Sequence, residues 1–256
     1  MKLLPSFRRD AGRKAAASSK IFVLGSGRSG THWVGYILEG HRDIHVTIEK
    51  PPIFKWVTEI ALDFGKKAEL LPKLLDRYDA EHRAVRPKHY ADKSHPNIWI
   101  AEELSAAFAD ARFIGIQRNP YGTVASMLKH PGVLAWHERW KEFPVPNPFL
   151  GITRENQAGY ETMPLAAKCA LRWTAHRERM NALRKSLGSR LLVLQYEDVI
   201  RNAEVELRTL NEFLALPSPI PRPKVKAESL DRWKTELTDD VKAQIASVTG
   251  VSPDEC

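Results

Sequence analysis

Ile21-Phe22-Val23-Leu24-Gly25-Ser26-Gly27-Arg28-Ser29-Gly30-Thr31-His32-Trp33 runs from a short apolar, β-favouring segment through three glycines into a helical pattern. The apolar run reads as a buried parallel strand. Beyond Thr31, the residues Trp33, Ile37 and Leu38 fall on roughly one helix face. Between strand and helix, the glycines let backbone N–H groups converge on an anion without side-chain clash. The helix start adds orphan N–H donors and the positive end of the dipole. Arg28 contributes a permanent charge, and Ser29 and Thr31 contribute hydroxyls. The loop is therefore read as a phosphate cradle rather than a plain tight turn. It is not a Walker A loop: Gly30 follows Gly25 at the right spacing, but Thr31 stands where that motif needs lysine, and the cation is displaced to Arg28.

Outward from this loop, further strands are expected at 44–48, 89–92, 112–117 and 190–195. Helices are expected between them, the longest over Leu165–Leu187. Alternating strands and helices predict an α/β fold, a parallel sheet covered on both faces. No linker and no internal repeat interrupts it, so residues 20–256 are read as a single domain. Residues 1–19 read as a flexible basic arm. Residues 130–164 differ in character: five prolines lie among Trp136, Trp140, Phe143, Phe149 and Tyr160. Such a stretch is either a lid over a site or a surface insertion.

The composition limits the function classes. With 43% apolar and 27% charged residues among 256, the chain can bury a sizeable core. Its formal charge of +8 favours anionic partners, but no nucleic-acid-binding module is recognisable. Cys169 and Cys256 form no zinc spacing and no disulfide framework. The strand ends carry no evident acidic pair for magnesium, so no metal is expected. No apolar run is long enough to span a membrane, and the N-terminus lacks a leader-like apolar core. A cytoplasmic protein is expected.

Arg28-Ser29-Gly30-Thr31-His32-Trp33 resembles the 5′-phosphosulfate loop of sulfotransferases that use 3′-phosphoadenosine-5′-phosphosulfate (PAPS). The resemblance implies that Arg28 contacts the bridging and sulfuryl oxygens, within a cofactor-binding set of Arg28, Ser29, Gly30, Thr31, His32 and Trp33. Trp33 would pack on adenine, although a core tryptophan on an amphipathic helix fits the same position. Arg112 to Pro120 followed by Ser126 is similar to that family's 3′-phosphate site, with Arg118 and Ser126 in its two positions. Lys93-Ser94-His95 resembles its Lys-[Thr/Ser]-His element, which implies Lys93 beside the bridging oxygen and His95 as general base. Pro96, directly after His95, departs from the pattern. Some relatives use a Glu after the second strand, and Glu49 occupies that place, so two bases compete. Tyr196 in Tyr196-Glu197-Asp198 would lie near the nucleotide base, or serve as a structural strand-end tyrosine. Arg232-Trp233-Lys234 stands where relatives carry an Arg-Lys-Gly run, which is absent here.

The resemblance spans roughly residues 20–235. It implies a P-loop nucleoside-triphosphate-hydrolase-like sulfotransferase fold, PAPS as co-substrate, and an acceptor hydroxyl or amine on a carbohydrate, glycolipid or small metabolite. The rivals are a P-loop kinase and a non-catalytic nucleotide-binding protein. The loop would serve either, but the kinase needs a metal site and a Walker lysine, neither of which is visible, and the binding protein has no need of Lys93, His95 and Glu49.

Overall fold

The computed structural model describes residues 18–222 and 227–256. The expected basic arm lies outside it, except for its last two residues. Five strands form one sheet: β1 (Lys20–Gly25), β2 (Ile44–Ile48), β3 (His89–Lys93), β4 (Arg112–Gln117) and β5 (Leu191–Gln195). Their order is β2-β3-β1-β4-β5, and every pair is parallel. Parallel neighbours need crossovers, and the helices supply them. α1 (Thr31–Glu39) joins β1 to β2, and α2 (Ile53–Leu62) with α3 (Lys67–Val85) joins β2 to β3. α4 (Ala101–Ala107) leads to β4. A longer excursion through α5 (Pro120–Met127), α6 (Pro131–Glu138), α7 (Gln157–Tyr160) and α8 (Leu165–Leu187) returns to β5. α9 (Tyr196–Arg201), α10 (Ala203–Leu214), α11 (Arg232–Glu236) and α12 (Asp239–Thr249) complete the chain.

β1 is the central strand and is buried along its whole length. Strand side chains alternate between faces. Phe22 and Leu24 therefore join one apolar cluster with residues of α2, α3, α4 and α8, including Val57, Tyr78, Leu104 and Leu183. Ile21 and Val23 join a second with residues of α1, α9 and α10, including Val34, Val199 and Leu210. The expected parallel α/β architecture is what the chain adopts.

Two local differences from the sequence reading have simple causes. The helix expected between the strands at 89–92 and 112–117 begins as a 3₁₀ turn, His95–Trp99, with a proline in its first turn, and the α-helix starts only at Ala101. Residues 130–164 are more ordered than a proline-rich loop suggests. Trp140, Phe149, Leu150, Ile152 and Tyr160 all belong to the first core cluster, and an antiparallel bridge joins Asn147 to Ile152. The prolines mark the turns between these short pieces while the rings are buried.

α1 carries the chain from β1 toward the β3–β2 side, and the connection after β4 carries it toward β5. The carboxyl ends of β1 and β4 thus flank the point where strand order reverses, the crevice in which open α/β sheets bind ligands.

Candidate active site

The 25–31 loop lies at that crevice, between β1 and α1. Gly30 precedes α1 in a left-handed conformation, φ 102°. A Cβ there would lie 2.6 Å from the ring of Tyr196, so the position needs glycine for shape as well as conformation. A Cβ on Gly27 would stand 3.1 Å from Nε2 of His95, which puts the loop and the histidine in close approach. Ser29 spends its hydroxyl inside the loop, donating to the Ser26 carbonyl at 2.7 Å. The Thr31 hydroxyl is buried without a partner, a donor held in reserve at the start of α1.

One residue of the loop and one beside it sit in left-handed backbone without being glycine or asparagine: Arg28 at φ 78° and Glu49 at φ 48°. Such conformations cost about 1–3 kcal/mol each and concentrate at functional sites.

Glu49 follows β2 and is the hub of a buried cluster. Its Oε1 accepts from the ammonium of Lys93, at the end of β3, and lies 3.2 Å from Nδ1 of His95. Nδ1 of His32 lies 2.8 Å from the same ammonium, and Nε2 of His32 is 3.7 Å from Glu49 Oε2. The fold thus brings together Lys93, His95, Glu49 and His32 from two strand ends and one helix start. Burial opposes ionisation of Glu49, but His95 and Lys93 outweigh it and hold its carboxyl at about 2. Burial pushes His95 down to about 3, against the hydrogen bond that its Nδ1–H donates to Glu49. His95 is therefore neutral at physiological pH. Burial likewise lowers Lys93, with Glu49 pulling the other way. The His95 ring packs among Phe54, Trp136 and Phe149.

Arg28 points the other way, its Nε donating to Ser126 Oγ at 3.0 Å. That bond joins the loop to α5 and opens onto a cavity of about 320 Å³ lined by Arg28, Arg118, Ser126, Lys129, Tyr196 and Arg232, among others. Its charge is mostly positive. Glu236 is the acidic lining residue and pairs with Lys129 and Arg232, each at 2.9 Å. Arg118 lies over the Tyr196 ring at 4.4 Å and donates Nη2–H to the Ser229 carbonyl at 2.7 Å. Its Nε is buried without a partner. Arg118, Ser126 and Tyr196 therefore converge as their spacing suggests. Arg232 and Trp233 also line this cavity, whereas Lys234 pairs with Asp231 at 2.8 Å. Trp33 is half-buried against the second core cluster. Lys129 was not singled out from the sequence; it lies in the turn just past the end of α5 and lines the same cavity. Arg172 was missed as well, and nothing in its local sequence marks it.

The chain has relatives of known structure. A sulfotransferase-domain family model matches residues 18–247. The sulfotransferase domain from the curacin biosynthetic pathway superposes with a TM-score of 0.57 at 18% identity, covering 92% of this chain and 99% of that one. The sulfotransferase domain of the Synechococcus PCC 7002 olefin synthase gives 0.58 at 15% identity, over 95% and 98%. A sulfotransferase from Alicyclobacillus acidocaldarius gives 0.51 at 16%, over 93% and 98%. No curated protein sequence matches the chain.

Proposed function

The chain belongs to the sulfotransferase domain family, whose sulfuryl donor is PAPS, and from that premise we propose that the cluster of Glu49, Lys93 and His95 drives sulfuryl transfer to an acceptor bound under residues 130–164. The carrying observation is the contact between Nδ1 of His95 and Glu49 Oε1, while Nε2 faces the phosphate loop at Gly27. A carboxylate on Nδ1 fixes the tautomer with its proton there, which leaves the lone pair on Nε2.

The donor fits the residues present. The loop, with Arg28, Gly30 and the unpartnered Thr31 hydroxyl, suits the 5′ end; Arg118, Ser126 and Arg232 suit the 3′-phosphate. PAPS supplies the sulfuryl group, which an acceptor oxygen receives in an in-line displacement as adenosine 3′,5′-bisphosphate departs. Nε2 of His95 takes the acceptor's proton. Glu49 holds the ring and stabilises the imidazolium that forms. Lys93 and Arg28 supply positive charge where negative charge develops. Residues 20–256 work as one catalytic unit, with 130–164 as the acceptor-side lid: Trp136 and Phe149 wall His95. Among the described residues no helix is long and apolar enough to cross a membrane. The two free thiols, Cys169 and Cys256, suit the reducing cytoplasm.

One observation favours Glu49 as the base instead: its side chain is 24% exposed, against 6% for His95. Single-turnover transfer from PAPS separates the two. With His95 as base, His95→Ala lowers the rate by about 10²–10⁴-fold, leaves bisphosphate affinity unchanged, and exceeds the effect of Glu49→Gln. The reverse ranking moves the proton to Glu49, and no effect from either removes the cluster from the chemistry.

A further inference from the structure

Arg172 sits in the middle of α8, fully buried. Its Nε and Nη1 have no hydrogen-bond partner, and Nη2 reaches Nε2 of His95 at 3.5 Å. The guanidinium lies against the faces of Phe149 at 4.1 Å and Trp136 at 5.2 Å. Burial pulls its pKa down to about 10, opposed by Cys169 and Tyr160, and no carboxylate is among its charged neighbours. His137 is in the same position. Its Nδ1 meets the Tyr160 hydroxyl at 2.7 Å and its Nε2 is buried without a partner. Burial and the charge of Arg172 push His137 down to about 3.

An unpaired buried guanidinium is among the costliest groups a fold can keep. Ring faces offset only part of that cost. Its Nη2 borders the nitrogen assigned above to receive the acceptor's proton. Trp136 and Phe149, which lie against it, belong to the proline-rich stretch that walls the acceptor side. A molecule whose hydroxyl meets His95 therefore presents its adjoining atoms to Arg172. The Nη1–Nη2 edge of the guanidinium, with Nη1 unpartnered and Nη2 holding only the long contact to His95, matches the fork of a carboxylate, and the rings match a flat or apolar body.

We propose that Arg172 sets acceptor specificity by receiving a carboxylate of the acceptor, so that the molecule sulfated is a hydroxy carboxylic acid with its hydroxyl and carboxylate a few bonds apart. The proposal deepens the function given above and rests on its assignment of donor and base. Trp136 and Phe149 must shift to admit the acid, and its carboxylate replaces their faces as the partner of Arg172.

The test uses PAPS with hydroxybenzoates, hydroxyphenylacetates and 3-hydroxyalkanoates, each beside its methyl ester. Calorimetry with adenosine 3′,5′-bisphosphate is run on the same proteins. The wild-type chain is expected to sulfate at least one acid with kcat/KM about tenfold or more above its ester, mainly through KM. In Arg172→Gln the acid-to-ester ratio falls to near one while bisphosphate affinity stays within about twofold. Arg172→Lys, which keeps the charge and loses the fork, retains a reduced preference and carries the test should the Gln variant not fold. Equal use of acids and esters by the wild type overturns the proposal, as does a bisphosphate-binding enzyme that sulfates none of the acids. Equal slowing of acid and ester in the variants also overturns it, by assigning Arg172 to the sulfuryl group. A wild-type chain that binds no bisphosphate fails at the donor assignment, before acceptor choice arises.

Discussion

Arg28 and Glu49 both occupy left-handed backbone, and both carry charge at the crevice. The two effects can be separated at Arg28. Arg28→Ala removes the guanidinium but keeps a Cβ in strained backbone. Its expected cost is about 1.5–3 kcal/mol in nucleotide affinity, the range for hydrogen bonds to charged groups, together with near loss of transfer. Arg28→Gly removes the same charge and relieves the strain, so it should be equally inactive yet unfold at a higher temperature than the Ala variant. Matching melting temperatures for the two would show that the conformation at position 28 is not strained. The Glu49–His95 pair makes a second expectation. Its groups are held at about 2 and about 3, so both are deprotonated from pH 5 upward and a base in this pair stays competent there. The kcat/KM profile should therefore show no acidic limb near 6.5, the ordinary histidine value. An acidic limb at 6.5 in the wild type would mean that His95 works in a more open environment than this one.

At the scale of elements, β4 and α5 bring the two residues of the proposed 3′-phosphate site to one cavity: Arg118 follows the strand and Ser126 lies on the helix, eight residues on. Arg118→Ala and Ser126→Ala should weaken adenosine 3′,5′-bisphosphate more than adenosine 5′-phosphate, by about 1.5–3 kcal/mol for the arginine. Equal losses on both nucleotides in calorimetry would detach these residues from the 3′-phosphate. This pair was legible in the sequence because its geometry is local: a strand end, a turn and two turns of helix fix the spacing. The β1 loop was legible for the same reason, through apolar residues followed by glycines. Glu49 and His95 each stood out as a candidate, but their hydrogen bond did not, since it joins residues 46 apart through the β2–β3 register. Arg172 left no trace. It meets His95 across 77 residues, on a helix whose sequence around it, Ala170-Leu171-Arg172-Trp173, carries no spacing that distinguishes a buried charge from a solvated one. The 130–164 stretch was only half legible, because prolines report where the chain turns and not where its rings go.

For the whole molecule, the consequence is a fold that acid should destabilise early. Burial pushes His95 and His137 down to about 3, and His176 well below its ordinary value. A group depressed in the fold is neutral there and protonated in the unfolded chain. Its contribution is therefore complete above the unfolded value of 6.5 and is lost as pH falls from there through the folded value. Asp92 acts in the opposite sense. Burial raises its carboxyl to about 6, outweighing hydrogen bonds from Ser94, Thr47, Tyr78 and Asn97, so its contribution is present below the unfolded value and is lost as pH rises through 6. His82, which burial lowers to about 4, adds a fourth, so around pH 5 the unfolded chain holds about three more protons than the fold, four from histidines against one on Asp92. The stability should fall by about 4 kcal/mol for each unit of acidification there, a large share of the 5–15 kcal/mol of a typical domain. Urea midpoints measured from pH 8 to 4.5 should be level above 7 and drop steeply below 6. His137→Gln, which removes one of the four, should flatten the slope by about a third, because it removes one of the three net protons. A wild-type midpoint that stays level down to pH 5 would mean that these histidines are protonated inside the fold. In that case the neutral His95 on which the proposed proton transfer depends would be lost with them.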